Sequence, residues 1–159
     1  MKYFFQICLL LPFFGSAQLH INEVMAKNEN GLTDRFEDKS DWIEIYNETD
    51  SAVNLENWSI ADKISLLNVY KFPSLIIPSE AYLVVFASGR NITLANEIHL
   101  PFKLDADGED VYLTNPNGAL VGQLTFPELA ADISYGSFPD GDDNYVKYEI
   151  STPNMTNSL

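Results

Sequence analysis

The sequence predicts an all-β domain, built as a sandwich of two sheets. Ten short segments of strand character run along the chain, with turn signals every ~8–12 residues between them. No window sustains the 3.6-residue apolar period that an amphipathic helix would need. The chain has 159 residues, which is enough for one domain with a core of its own.

Two strands are predicted at the start of the domain. Leu19–Met25 is the first, and Asp41–Asn47, DWIEIYN, is the second. The second strand alternates, so its two isoleucines lie on one face and its aromatic residues and glutamate lie on the other. The polar segment 27–40, KNENGLTDRFEDKS, is predicted to be a loop. Since both faces of DWIEIYN carry large apolar side chains, another element must cover the second face.

The remaining strands follow at short intervals. Ala81–Ser88, AYLVVFAS, is nearly all apolar, which predicts that both of its faces are buried. Asn115–Gly118, NPNG, has proline and glycine where a type I turn favours them and therefore predicts a hairpin. The other predicted strands are 52–55, 58–62, 70–73, 109–115, 119–126, 133–138 and 145–150.

The predicted core consists of large apolar side chains on these strands. They are Trp42, Ile43, Ile45, Trp58, Leu83, Val85, Phe86 and Leu113. Truncation of such a side chain, for example Leu83→Ala, is predicted to cost about 2–5 kcal/mol through lost transfer and cavity terms.

The first 17 residues have the pattern of a secretory signal peptide. Lys2 precedes an apolar run over residues 7–14, and Gly15-Ser16-Ala17 supplies the small residues of a cleavage site. The run is short for a bilayer span, which needs about 20 residues. We therefore predict a signal peptide over 1–17, a folded domain over 18–154 and a polar tail over 155–159. The mature protein is expected to be extracellular, at the cell surface or in the periplasm, without membrane insertion.

The mature chain is acidic and lacks cysteine. Cys8 is the only cysteine and lies inside the predicted signal peptide, so disulfides cannot support the fold. The formal charge is −14, with 23 acidic residues against nine basic ones. Such a surface repels phosphate backbones and anionic lipid, which predicts no nucleic-acid partner. It suits cations and basic partners.

Seven short motifs succeed one another along the chain. They are INEVM (21–25), DWIEIYN (41–47), VNLENWSIAD (53–62), YLVVFASGR (82–90), FKLDADGEDVYLTNPNG (102–118), DISYGSFPDG (132–141) and STPN (151–154). In this order they resemble the lamin tail domain family in its bacterial, secreted form. The resemblance covers about residues 19 to 154 and implies an immunoglobulin-like β-sandwich. It also implies an accessory module of secreted or surface proteins, with no catalytic residues to carry over.

Three segments depart from the family pattern. The family usually has a glycine-bearing turn where this chain has Pro78–Ala81. It often reads His-Thr-Asn-Phe at the position of His99–Phe102, and Thr-Pro-Gly at the position of Thr152–Asn154.

Two kinds of catalytic site can be weighed. Glu23 and Glu44 lie in strands near aromatic residues, and two carboxylates are the minimum for glycoside hydrolysis. Paired carboxylates are common in an acidic chain, so we favour a structural role in which they accept hydrogen bonds from the main chain or from Trp and Tyr. A serine nucleophile would need His20 or His99 as its base, and neither adjoins a serine motif. We predict no catalytic residues and no enzyme.

A calcium site is a further hypothesis. Asp105, Asp107 and Glu109 place oxygens at alternate positions around a glycine, as calcium loops do. The twelve-residue pattern of an EF-hand is incomplete, and Asp and Gly also favour turns for backbone reasons alone. Both interpretations stay open, and calcium is the only cofactor that the sequence suggests.

The predicted function is a non-catalytic interaction module that displays or targets another domain or a surface component. Its partner would be a protein or a surface glycan. One alternative is a carbohydrate-binding sandwich, in which exposed tyrosines stack on sugars; the candidates are Tyr70, Tyr135, Tyr145 and Tyr148. The other alternative is a small secreted hydrolase.

Overall fold

The computed structural model describes residues 19–95 and 97–159, and within these ranges the chain forms thirteen strands. They are β1 (Leu19–Met25), β2 (Asp41–Asn47), β3 (Val53–Asn54), β4 (Ser59–Ala61), β5 (Tyr70–Lys71), β6 (Ile76–Ile77), β7 (Tyr82–Ala87), β8 (Ile92–Leu94), β9 (Glu97–His99), β10 (Gly108–Thr114), β11 (Leu120–Pro127), β12 (Ser134–Ser137) and β13 (Tyr145–Tyr148). One 3-10 turn spans Ile64–Leu66. In the described ranges no helix has the length and apolar character needed to cross a membrane.

Two sheets enclose the core. The larger has the order β13-β12-β1-β2-β7-β9-β8 and the smaller has the order β11-β10-β4-β5, while β3 and β6 form a two-stranded ribbon. Paired strands are antiparallel except β7 and β9. The two inner faces supply one continuous apolar cluster, as sandwich packing requires. The predicted all-β sandwich is confirmed.

A bulge at Asn22 allows side chains from both halves of β1 to point into the core. Ile21 and Val24 both belong to the core cluster, although residues three apart on a regular strand point to opposite faces. The register shift between Ile21 and Glu23 absorbs the offset, as a bulge with one extra residue does. As a result, Glu23 faces outward, directly opposite Glu44 on the neighbouring strand.

The outer face of the larger sheet is covered, as the sequence predicts. Trp42 packs there with Met25 and Phe86 in a second apolar cluster, and Leu32 of the loop between β1 and β2 closes over it. The cluster explains why DWIEIYN carries large apolar side chains on both faces.

The loop that provides this cover is ordered by Asp34. The Asp34 carboxylate is buried and accepts hydrogen bonds from the main-chain N–H groups of Phe36 and Asp38 and from the Ser40 hydroxyl. Burial alone would raise the pKa of Asp34, but these hydrogen bonds outweigh it and lower the pKa.

The predicted core residues are buried, with one exception. Leu83 is half-buried, which makes it the most exposed of the set, and it lies at the margin of the core cluster. Its side chain packs against the core cluster, but β9 pairs with β7 at Phe86 alone and leaves the first half of β7 without a neighbour on that side. We therefore expect the cost of Leu83→Ala to lie at the lower end of the predicted range of about 2–5 kcal/mol.

Two of the segments that depart from the family pattern contain a residue with a positive φ. Glu80 has a φ of 53° and Asn154 has a φ of 61°, a region that glycine enters without steric cost. Asparagine tolerates this conformation better than most residues do, whereas glutamate does not. At both positions a side chain therefore occupies a backbone conformation that glycine would adopt without strain.

Candidate functional site

Glu23 and Glu44 form the centre of a buried polar cluster on the outer face of the larger sheet, and both are 0% exposed. Glu23 accepts hydrogen bonds from the Ser134 hydroxyl and from the N–H and hydroxyl of Thr152. Glu44 accepts from the Asn22 amide, at 3.0 Å, and from the Asn154 N–H. The donors are thus hydroxyls, main-chain amides and one side-chain amide, and none is a tryptophan or tyrosine.

The C-terminal segment completes this cluster. The Asn157 side chain donates to the Ser137 carbonyl at 2.7 Å, and its N–H donates to Asp140 Oδ1 at 3.1 Å. Asp140 Oδ1 also accepts from Asn22, at 3.0 Å. Asn157 is only 3% exposed, although it belongs to the segment 155–159 that the sequence describes as a polar tail. We call Asn22, Glu23, Glu44, Asp140 and Asn157 the carboxylate cluster.

Burial dominates the electrostatics of the carboxylate cluster. It raises the pKa of Glu44 to about 8, against the partial opposition of the hydrogen bonds from Asn22 and Asn154. Burial also raises the pKa of Glu23, and the negative charge of Asp140 adds to both shifts. A carboxyl with this pKa could act as a general acid at neutral pH. A substrate cannot reach it, because neither glutamate has exposed surface.

One glycine shows how closely the C-terminal segment fits. A methyl group on Gly136 would lie 2.7 Å from the Asn22 carbonyl oxygen and 3.0 Å from the Asn157 side chain. Gly136→Ala is therefore expected to destabilise the fold by about 1–3 kcal/mol through overpacking. The matched control is Gly122→Ala, where the added methyl would meet its nearest neighbour at an ordinary 3.5 Å. Chemical denaturation of both variants measures the difference, and equal costs would contradict the packing.

Ser88 and His99 are 11 positions apart in the sequence and lie in contact in the fold. Ser88 Oγ lies 2.9 Å from His99 Nδ1, and Glu97 Oε1 lies 2.8 Å from His99 Nε2. This contact could not be predicted from neighbouring residues, because neither histidine adjoins a serine motif in the sequence. The imidazole has no exposed surface and packs between Phe36 and Phe86, with ring centroids 5.2 and 5.4 Å away. This arrangement joins β9, β7 and the loop before β2.

The predicted calcium ligands hold the turn before β10. Asp105 Oδ1 accepts the Asp107 N–H at 3.0 Å, and Glu109 Oε2 accepts the Asp105 N–H at 3.2 Å. Gly108 adopts a φ of 113°. Among the described residues, no three His, Cys, Asp or Glu side chains are grouped as a metal site would require. Calcium binding by Asp105, Asp107 and Glu109 stays a prediction.

Thermal melting decides between the two interpretations of this turn. Since a ligand that binds only the folded state raises the melting temperature, a calcium site would give a rise that Asp107→Ala abolishes. If these carboxylates only hold the turn, the melting temperature should be the same with and without millimolar calcium. We expect this result. Magnesium at the same concentration controls for general screening of the acidic surface.

The four candidate tyrosines do not form one exposed row. Tyr70 and Tyr148 are 7% and 3% exposed. Tyr135 and Tyr145 stack on each other with ring centroids 5.9 Å apart and pack against the core. A sugar would therefore have to use other side chains or displace this stacked pair.

The two sheets that enclose the apolar core make this protein a β-sandwich domain. The model of the Lamin Tail Domain family matches residues 14–128, more than half of the chain. The chain therefore belongs to the lamin tail domain family, whose members are non-catalytic, immunoglobulin-like interaction domains. A search of curated proteins found no match. The last two motifs of the resemblance, at 132–141 and 151–154, follow the matched residues and supply Asp140 and Thr152 to the larger sheet.

Proposed function

We propose that this protein is an exported, non-catalytic interaction module of the bacterial, secreted type, which displays or targets another domain or surface component by binding a protein. One observation carries the proposal. Three of the four side chains weighed for chemistry, Glu23, Glu44 and His99, are 0% exposed in a chain whose family consists of interaction domains. The fourth, His20, contacts Glu48 Oε2 at 2.8 Å. What the domain presents to other molecules is its surface.

Export is supported by the sequence alone. The predicted signal peptide, residues 1–17, lies outside the described residues. N-terminal sequencing of the protein recovered from the culture medium or cell surface is expected to begin at Gln18. A chain that begins at Met1 in the membrane fraction would contradict the proposal and indicate an anchor.

The surface charge favours a basic protein partner. The chain has a formal charge of −14 and a sequence pI of about 4.2. Several of its few basic side chains are already engaged within the fold: Lys39 donates to the Gly31 carbonyl, Arg90 pairs with Asp38, and Lys147 donates to the Glu128 carbonyl. Few cations are left to displace counterions from a phosphate backbone. We therefore propose that nucleic acid is not a partner.

Binding to intact cell envelopes tests the function. The labelled mature chain is expected to bind envelopes of the producing cells saturably, and added salt should weaken binding because charge attraction contributes to it. Protease treatment of the envelopes should abolish binding, whereas periodate oxidation of glycans should leave it unchanged. The opposite pattern would support the carbohydrate-binding alternative. Absence of saturable binding would overturn the interaction function.

A further inference from the structure

One side of β7, a strand inside the larger sheet, is mostly unpaired. β7 pairs with β2 along its whole length, but on its other side β9 pairs with it only at Phe86, opposite His99. The Asn47 N–H donates to the Ala81 carbonyl, which fixes the phase of the β2–β7 ladder. Successive residues of a strand direct their N–H and C=O groups to opposite sides, so Leu83 and Val85 face β2 in this ladder. The main-chain groups of Val84 therefore point away from β2, where no described residue supplies a paired strand.

A groove of about 490 Å³ runs along this edge. Leu83 and Val84 both line it and are half-buried. Leu83 packs against the core cluster and Val84 against the outer apolar cluster. The apolar lining of the groove consists of Leu32, Leu83, Val84, Phe86, Leu94 and Ala95. An unpaired strand edge beside apolar pockets is the arrangement to which an extended peptide adds as a new strand.

The groove is held open by contacts across its ends. The Arg35 N–H donates to Glu97 Oε1 at 3.1 Å, and the Arg35 guanidinium donates to the Leu94 carbonyl at 3.0 Å. These bonds join the loop before β2 to the β8–β9 hairpin. On the other side, Asn154 is fixed by its hydrogen bond to Glu44. The groove is thus preformed, which reduces the entropy that a ligand must lose to bind.

Charge selects the kind of occupant. Because the whole chain carries a formal charge of −14, a second copy would be repelled, whereas a segment rich in Lys or Arg would be attracted. The groove itself is lined by one charge of each sign, Arg35 and Glu97, so the attraction comes from the acidic surface as a whole. The apolar lining at the same time favours a segment that carries apolar side chains at alternate positions.

We propose that the open edge of β7 binds a short, extended segment of a basic partner protein. The segment pairs with the main chain of Val84 as an added strand and places an apolar side chain in the groove. This inference rests on the proposed interaction function and gives that function a site and a ligand chemistry. Since few main-chain hydrogen bonds are available along so short an edge, the affinity of an isolated segment is expected to be micromolar or weaker.

Amide hydrogen exchange tests the proposal on the unmodified mature chain. The probe is an acetylated and amidated heptapeptide of alternating lysine and valine. At saturation, exchange of the Val84 N–H is expected to slow about tenfold or more, while amides of the distant strand β11 stay unchanged. Two control peptides should give no protection: one with alternating glutamate and valine, and one whose valine amides are N-methylated and cannot donate.

A pair of variants with the same added charge checks the location. Ala95 is exposed and lines the groove, so Ala95→Lys should repel the lysine–valine peptide and weaken its binding at least about fivefold. Val121→Lys adds the same charge on β11, where Val121 is 43% exposed, and should change binding less than about twofold. Circular dichroism confirms that both variants are folded.

The outcomes separate the site from the function. Unchanged Val84 exchange, equal binding of the N-methylated peptide, or equal effects of the two variants would each overturn the β7 site. If the chain still binds envelopes in a protease-sensitive manner, the interaction function stands at another surface. If envelope binding fails as well, both proposals fall. If the Val84 N–H is protected without any peptide, and this protection rises with protein concentration, then the edge of β7 binds a second copy of this chain and not a basic partner.

Discussion

Between about pH 5 and about pH 9 the free energy of unfolding is expected to fall by roughly 4 kcal/mol, because folding must keep Glu44 protonated. Burial raises the pKa of Glu44 from 4.5 in its ordinary state to about 8 in the folded chain. In this window the folded state binds a proton that the unfolded state has released, so stability declines as the pH rises. Asp41, whose pKa burial raises to about 6, adds to the decline only at its lower end.

Glu44→Gln should flatten this profile. Glutamine cannot ionise, so the variant is expected to lose most of the decline between about pH 6 and about pH 9. Urea denaturation at several pH values gives the two slopes. Glu56→Gln is the matched control, since Glu56 is exposed and the change should preserve the wild-type profile. A Glu44→Gln profile as steep as that of the wild type would show that other groups cause the decline.

Trp42→Ala is expected to cost about 3–5 kcal/mol, because it empties the centre of the apolar cluster on the outer face of the larger sheet. Trp42 is 0% exposed and packs with Met25 and Phe86. Its Nε1 has no hydrogen-bond partner among the described residues. Trp42→Phe therefore removes a buried polar atom without breaking a hydrogen bond, and its cost should be well below that of Trp42→Ala.

Chemical denaturation of both Trp42 variants tests this account. Leu83→Ala serves as the comparison, since Leu83 is half-buried beside the groove and leaves a smaller cavity. The expected order of cost is Trp42→Ala first, with Trp42→Phe and Leu83→Ala below it. A Trp42→Ala cost under about 1 kcal/mol would contradict the packing of the outer cluster.

The regular strands could be predicted because alternation is a local property of the sequence. The bounds of β1 and β2 agree with the predicted segments, and NPNG forms the predicted turn, in which the Gly118 N–H donates to the Asn115 carbonyl. The hairpin of β8 and β9 was missed. Its two strands have three residues each, too few to establish an alternating pattern.

The carboxylate cluster could not be predicted, because its members meet only through tertiary structure. The one local signal was the spacing of Ile21 and Val24, two apolar residues three positions apart in a strand, which would have indicated the bulge at Asn22. Nothing local in Asn157 or Asp140 indicates burial. Both are polar residues in Asn- and Asp-containing segments, a composition that favours turns and solvent.

The hydrogen bond between Thr152 and Glu23 spans 129 positions and sets an order of events during synthesis. Glu23 is among the first residues of the domain to leave the ribosome, and its hydrogen-bond donor is among the last. A nascent chain that ends before Thr152 lacks the donors that Thr152 supplies to Glu23 and Asn154 supplies to Glu44. It would have to bury both glutamates with fewer hydrogen bonds, at a cost of several kcal/mol. We therefore expect the outer face of the larger sheet to stay open until the C-terminal segment has been made and has joined it.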